Sequence, residues 1–293
     1  MFKHYISLAK PGIIFGNLIA AVAGFLLASK GNFNPELFVA TMMGVILIIA
    51  SGCALNNVID RDIDGIMQRT RNRVLVTGVM PISHALIFAV LAALAGFSIL
   101  YSLTSLPAFF AGVAGFAVYV GLYSLMFKRR TVHATAIGSL SGACPPVIGY
   151  LSVTGEFDIG AGILLVAFCI WQMPHSYAIA IYRLHDYADA GIPVLPVRKG
   201  IKTAQKHMLV YILAFIGMCV LLTYQNYTGM IFAISMILLG LYWAYITMAN
   251  YNLQHPHLWG RKMFIFSVIT ICCFSLLISL DFVAADPLVI ACH

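Results

Sequence analysis

Seven stretches of the chain contain no Asp, Glu, Lys or Arg: 11–29, 37–59, 74–127, 131–155, 159–182, 207–260 and 263–280. A helix needs about 20 mostly apolar residues to cross a bilayer. The two 54-residue stretches, 74–127 and 207–260, must therefore hold two crossings each. They divide at turn-forming residues, Ser102-Leu103-Thr104-Ser105-Leu106-Pro107 in one and Gln225-Asn226-Tyr227-Thr228-Gly229 in the other. The pattern predicts nine spanning helices, at about 11–29, 37–59, 83–102, 107–127, 132–152, 159–181, 206–224, 230–249 and 263–281. The chain reads as an all-α polytopic membrane protein, one intramembrane domain over residues 1–293.

Composition agrees. The 293 residues are 61% hydrophobic and 9% charged, where soluble domains carry roughly 25% charged residues. Orientation follows from the basic residues. With the N-terminus in the cytoplasm, the inside segments are 1–10, 60–82, 128–131, 183–206 and 250–262. They hold 16 of the 17 Lys and Arg, and only Lys30 falls outside. The ten acids divide five and five, so the net charge is +11 inside and −4 outside. Nine spans put the C-terminus on the opposite side. This bias accounts for the basic balance without a nucleic-acid partner. The seven cysteines, Cys53, Cys144, Cys169, Cys219, Cys272, Cys273 and Cys292, form no CxxC and read as small packing residues. No small-residue cleavage site follows the first apolar run, so it reads as a retained span. Asn226-Tyr227-Thr228 matches a glycosylation acceptor only formally.

Two inside loops, 60–82 and 183–206, are long and mix acids with bases, and loops on a rigid scaffold are where function concentrates. Asn56, Asp60 and Asp64 are spaced i, i+4, i+8, which stacks their oxygens on one face of a helix. They fall at the C-terminal end of that helix, where the macrodipole disfavours negative charge, so a cationic partner is expected. Carboxylates and amides without His or Cys are hard oxygen donors suited to Mg²⁺ shared with phosphate oxygens. The sequel Arg69-Thr70-Arg71-Asn72-Arg73 supplies guanidinium groups that match phosphate geometry. Acid, metal and base together imply a diphosphate ligand.

Three further groups stand out. Lys128, closing the fourth span, is in reach of a phosphate with Tyr123 within one and a half turns; an aromatic belt with interfacial charges explains the same residues. In Trp171-Gln172-Met173-Pro174-His175, the polar Gln172 and His175 sit inside the sixth apolar run, where polar groups are costly. Pro174 is expected to loosen the helix and free a carbonyl toward a cavity. Downstream, Arg183 and Asp186 add a base and a second carboxylate for a shared metal. In Gly138-Ser139-Leu140-Ser141-Gly142-Ala143-Cys144-Pro145-Pro146, the small residues suit either tight helix packing or an opening for a bulky ligand, and the prolines bend the helix.

With Asn56, Asp60 and Asp64, the sequel Arg69, Thr70, Asn72 and Arg73, and nine spans, the chain resembles the UbiA superfamily of intramembrane prenyltransferases. The pieces Lys10-Pro11-Gly12, Gly142 to Tyr150, Trp171 to His175, and Asp186-Tyr187 leading to Ile192-Pro193-Val194-Leu195-Pro196 are similar to its haem-farnesylating branch. The likeness runs from about residue 5 to about 285. It departs where many members have Asp at the position of Asn57 and Pro at that of Val74. The second Asp-x-x-x-Asp motif is also incomplete, with Tyr182 at its first position and Asp186 at its second.

The resemblance implies nine helices around a central cavity and an active site at the cytoplasmic face of a bacterial inner membrane. It implies Mg²⁺ on Asn56, Asp60, Asp64 and Asp186, with Lys128, Arg69, Arg73 and Arg183 neutralising the diphosphate of farnesyl diphosphate. Tyr123 and Gln172 would contact substrate, and His175 would contact haem B or assist a water step. A terminal oxidase or a downstream haem-modifying enzyme would be the partner. Two other readings remain open: transfer to an aromatic quinone precursor, and a haem-handling transporter that catalyses nothing, which broken helices and intramembrane polar groups suit as well.

Overall fold

The computed structural model describes residues 2–249 and 255–283. Cys292, Asp286, the C-terminal end and residues 250–254 of the last inside segment lie outside the described residues. Among those described, nine helices are long and apolar enough to cross a membrane. They are α1 (Pro11–Ser29), α2 (Pro35–Ile59), α3 (Ile82–Leu103), α4 (Leu106–Phe127), α5 (Ala134–Thr154), α6 (Ile159–Tyr182), α7 (Ile201–Tyr224), α8 (Met230–Ala249) and α9 (Pro256–Leu280).

Local chemistry sets their ends. Proline opens α1, α2 and α9, where its missing N–H costs nothing. Side-chain oxygens of Asn34, Ser105 and Asp158 accept from first-turn backbone N–H groups and cap α2, α4 and α6. Two helices start well before their predicted positions. α7 begins at Ile201 instead of 206 and α9 at Pro256 instead of 263. Lys202, Lys206, Arg261 and Lys262 are exposed on these helices, because long basic side chains carry their charge to the interface while their backbone stays helical.

Consecutive spans pack against one another, and α9 returns to α1 and α6, closing a ring. The α1–α5 crossing rests on two glycines. A Cβ on Gly24 would stand 1.9 Å from the Pro146 carbonyl oxygen, and one on Gly149 would stand 2.1 Å from that of Ala21. Small residues let backbones meet where lipid leaves no hydrophobic drive between helices. α5 is broken at Ala143 (φ −86°, ψ −11°), before the proline pair. By contrast α6 runs unbroken through Pro174. The lower half of α4, Val118–Phe127, is a π-helix, a wider coil that often marks a functional segment.

At the end of the bundle that carries the basic residues, short helices Arg61–Ile66, Leu184–Asp189 and Leu195–Lys199 cover the ring. The loop from Met67 to Met80 is docked there by its apolar residues. Leu75 and Met80 pack with Leu8, Ala54 and Ala89, while Met67 packs with Ile63 and Ile192.

Candidate functional site

The ring encloses a cavity of about 1070 Å³, at the upper end of small-molecule pockets of about 300–1,000 Å³. Its walls are largely apolar and aromatic, from Phe116 and Tyr119 on α4 to Phe168 and Trp171 on α6 and Phe264 on α9. Five cationic side chains line its basic end: Lys10, Arg69, Arg73, Lys128 and Arg183. They come from four segments far apart in the chain. Tyr123, Gln172 and His175 also line it.

The carboxylates lie behind the cations. α2 ends at Ile59, Asp60 sits at the joint (φ −92°, ψ 6°), and Asp64 falls in the next short helix. The expected single helix is thus two, although backbone hydrogen bonds run on from Asp60 N–H to Asn56 C=O (2.9 Å) and from Asp64 N–H to Asp60 C=O (2.8 Å). The break moves Asp62 and Asp64 into the first turn of a helix, where the dipole favours negative charge.

Each polar member has a partner of opposite character. Asp60 Oδ2 accepts from Lys128 Nζ and from Asn56 Nδ2, the latter at 2.6 Å. Asn56 Oδ1 accepts from Lys10 Nζ at 2.7 Å, and Asp64 pairs with Arg73. Burial pushes the Lys10 ammonium down to about 8, with the Arg73 guanidinium acting in the same direction. Arg129 forks onto Asp62 at 2.6 and 2.7 Å and donates to the Ile59 carbonyl at 2.8 Å, capping α2. That pairing holds the Asp62 carboxyl below its ordinary range. These are the cations the helix end required. Among the described residues Asp60 Oδ1 is buried without a hydrogen-bond partner, with the Arg129 guanidinium 3.7 Å away.

Asp186 stands apart. Its Oδ1 accepts from the Gln68 backbone N–H at 3.0 Å, tying the 183–206 segment to the loop after α2. Among the described residues no three His, Cys, Asp or Glu side chains gather into one metal-binding group. Asn56 and Asp60 are therefore joined directly, while Asp64 and Asp186 each face a different partner. Asn57, adjacent in sequence, turns away and bonds the carbonyls of Cys53 (2.8 Å) and Leu8 (3.1 Å).

Several site residues escaped the sequence reading. Lys10 is one of them: its left-handed backbone (φ 55°, ψ 71°) separates the helix Phe2–Ala9 from α1 and turns its side chain onto Asn56. The π-helix stacks Tyr119 on Tyr123 with centroids 6.1 Å apart, and it brings Ser124 within 3.3 Å of Asn56 Nδ2. Tyr187 lines the cavity beside Asp186, and burial pushes its hydroxyl pKa up. No periodicity signals a π-helix, whereas Tyr187 was readable from its position next to a candidate ligand. In the small-residue run Pro146 packs against Gly24, while Gly138, Ser141 and Gly142 line the cavity.

Residues 17–269 match the UbiA prenyltransferase family. The chain is 51% identical over 280 residues to protoheme IX farnesyltransferase 2 of Pseudomonas fluorescens Pf0-1, covering 96% of this chain and 95% of that one. It is 51% identical over 286 residues to protoheme IX farnesyltransferase of Escherichia coli O139:H28, covering 98% and 97%. In fold it is similar to a digeranylgeranylglyceryl phosphate synthase structure, with TM-score 0.78, 17% identity and coverage of 96% and 98%. A UbiA homologue from Archaeoglobus fulgidus, bound to GPP and Mg²⁺, gives TM-score 0.72, 16% identity and coverage of 94% and 100%.

Proposed function

The chain belongs to the UbiA prenyltransferase family, and we propose that it transfers the farnesyl group of farnesyl diphosphate to a vinyl group of haem B with addition of water, giving haem O. The observation that carries this reading is the cavity itself, five cations at one end of a large apolar chamber. Such a chamber suits a diphosphate head, a prenyl tail and a flat apolar acceptor together.

Lys128, Arg69, Arg73 and Arg183 bind the diphosphate and neutralise the charge that grows on it as the allylic C–O bond breaks. Tyr119, Tyr123 and Phe116 line the chamber where the allylic cation forms, and their ring faces stabilise it while excluding water. The haem vinyl carbon bonds to that cation, water adds to the adjacent carbon, and its proton leaves. Farnesyl diphosphate, haem B and water thus become haem O, diphosphate and a proton. Gln172 and His175 contact the porphyrin.

Mg²⁺ fits the acidic side of the site. Asn56 Nδ2 donates to Asp60 Oδ2, which sets the two side chains together, and the buried Oδ1 of Asp60, without a hydrogen-bond partner among the described residues, is the kind of atom a cation satisfies. Asn56, Asp60 and Asp64, with Asp186, would hold it. When bound it supplies Lewis-acid stabilisation of the diphosphate oxygens. Lys128 and Arg73, which pair with Asp60 and Asp64, also line the cavity and would serve the diphosphate beside it. The basic end faces the cytoplasm in this reading, and a terminal oxidase or further haem-modifying enzyme takes the product.

The test is to incubate membranes containing the protein with farnesyl diphosphate and either haem B or 4-hydroxybenzoate, with Mg²⁺ or with EDTA. Farnesylated haem formed only with Mg²⁺ is expected. Product from the benzoate alone overturns the acceptor assignment, and full turnover in EDTA overturns the metal.

A further inference from the structure

His175 lies on α6 with its ring lining the cavity. It stacks on Trp171 at 4.7 Å between centroids and 24° between planes, and the Phe264 ring of α9 stands 5.3 Å away. Its Nδ1 is 2.7 Å from the hydroxyl of Ser267, a fully buried residue of α9. That hydroxyl has one proton, and it goes to the Phe264 carbonyl at 2.6 Å. Toward His175 the hydroxyl can therefore only accept. Nδ1 is the protonated nitrogen and Nε2 keeps the electron pair. The carbonyl of Ser267 also accepts from the Trp171 indole N–H at 3.0 Å, so one residue of α9 holds both rings of the stack.

Resting on the haem-substrate reading above, we propose that Ser267 is a positioning residue that locks this tautomer and presents Nε2 of His175 as an axial donor to the porphyrin iron. Metal-binding imidazoles generally donate their other ring N–H to an oxygen that fixes orientation, which is the arrangement here. A proton-accepting role for His175 fits less well. It would create an imidazolium, and among the described residues the hydrogen-bond partner of the ring is a hydroxyl and its neighbours are Trp171 and Phe264, with no carboxylate to stabilise the charge. The spacing is also suitable. Eight residues of α6, roughly 12 Å of helical rise, separate His175 from Arg183. A porphyrin centred at His175 then extends one edge of its ring toward the diphosphate end.

The experiment titrates ferric haem B into the purified full-length protein and records the Soret band and EPR spectrum. Wild type, His175→Ala, Ser267→Ala, Ser267→Cys and Ser267→Thr are compared, with farnesyl diphosphate binding as the control for folding. Wild type is expected to show a histidine-ligated iron that His175→Ala loses. Ser267→Ala should shift the spectrum and weaken haem binding about 10- to 100-fold, with farnesyl diphosphate binding unchanged. Ser267→Thr should restore both. Ser267→Cys, which keeps the size and weakens the acceptor, should fall between and answers the same question if the alanine variant does not fold. Identical haem spectra and affinities for Ser267→Ala and wild type overturn the proposal, as do identical spectra for His175→Ala and wild type. Wild type that farnesylates haem without a histidine signature overturns this inference alone. Wild type that neither binds nor farnesylates haem removes the proposed function with it.

Discussion

The pair formed by Asp60 and Lys128 can be tested by its energetics as well as its chemistry. Asp60 is 1% exposed at its side chain and Lys128 14%, so the carboxylate lies buried behind the ammonium that lines the cavity. Removing one partner of a buried pair costs about 3–5 kcal/mol, because the other charge is left without compensation. Lys128 retains some access to water and Asp60 retains the Asn56 amide, so about 3 kcal/mol is expected for Asp60→Asn or for Lys128→Met. The double variant leaves no stranded charge. Its cost should be about 1 kcal/mol, far below the sum of the singles, because replacing both partners approaches neutrality. The assay is denaturant unfolding of the detergent-purified protein, with all four forms in one double-mutant cycle. Costs of the singles that add to the cost of the double within about 0.5 kcal/mol would refute the pairing. Turnover separates the chemical role from the structural one. The double variant should regain stability yet remain inactive if, as proposed, Asp60 holds the metal and Lys128 the diphosphate.

Three other outcomes follow from single contacts. Gly149→Ala places a methyl 2.1 Å from the Ala21 carbonyl oxygen; the α1–α5 crossing must open, and unfolding should become easier by about 1–3 kcal/mol or more. A melting midpoint equal to wild type would show that this crossing is looser than drawn. Gly142→Ala meets the far end of Gln172, whose amide nitrogen lies 1.7 Å from the new Cβ. The amide can swing away, so stability should hold while kcat/KM for haem falls about tenfold, the effect of roughly 1.4 kcal/mol at the transition state. Unchanged haem kinetics would remove Gln172 from the acceptor side. Arg129→Ala breaks a fork onto Asp62, which is 65% exposed at its side chain; the loss should stay within about 1 kcal/mol and leave most turnover intact. Complete inactivity in a folded Arg129→Ala protein would mean that Arg129 also serves the diphosphate.

How the site is wired shows the limit of spacing arguments. The i, i+4, i+8 rule placed Asn56, Asp60 and Asp64 on one continuous face, and it holds for Asn56 and Asp60, which are hydrogen-bonded at 2.6 Å. It fails for Asp64, because the helix ends at Ile59, where Arg129 caps the carbonyl. That guanidinium arrives from 70 residues away, and no local pattern announces it. Asp186 was expected to share a metal with the first cluster. Its Oδ1 accepts from the Gln68 backbone, a contact between two loops that only packing brings together. Ser267 carries no local signal at all, since its contact is with a neighbour 92 residues distant.

By itself the sequence determined the number of spanning helices and the clustering of charge at one end. Each is written in short-range statistics: a bilayer demands about 20 apolar residues per crossing, and charged groups avoid its interior wherever they stand in the chain. Tertiary structure decided which charge faces which. Pairings such as Lys10 with Asn56, Lys128 with Asp60 and Ser267 with His175 join residues 46 to 92 positions apart. They form because the ring of helices closes and each buried polar atom must find a partner inside it. The cavity has the same origin, for it is the space left when glycine contacts draw α1 onto α5 and α9 returns to close the ring.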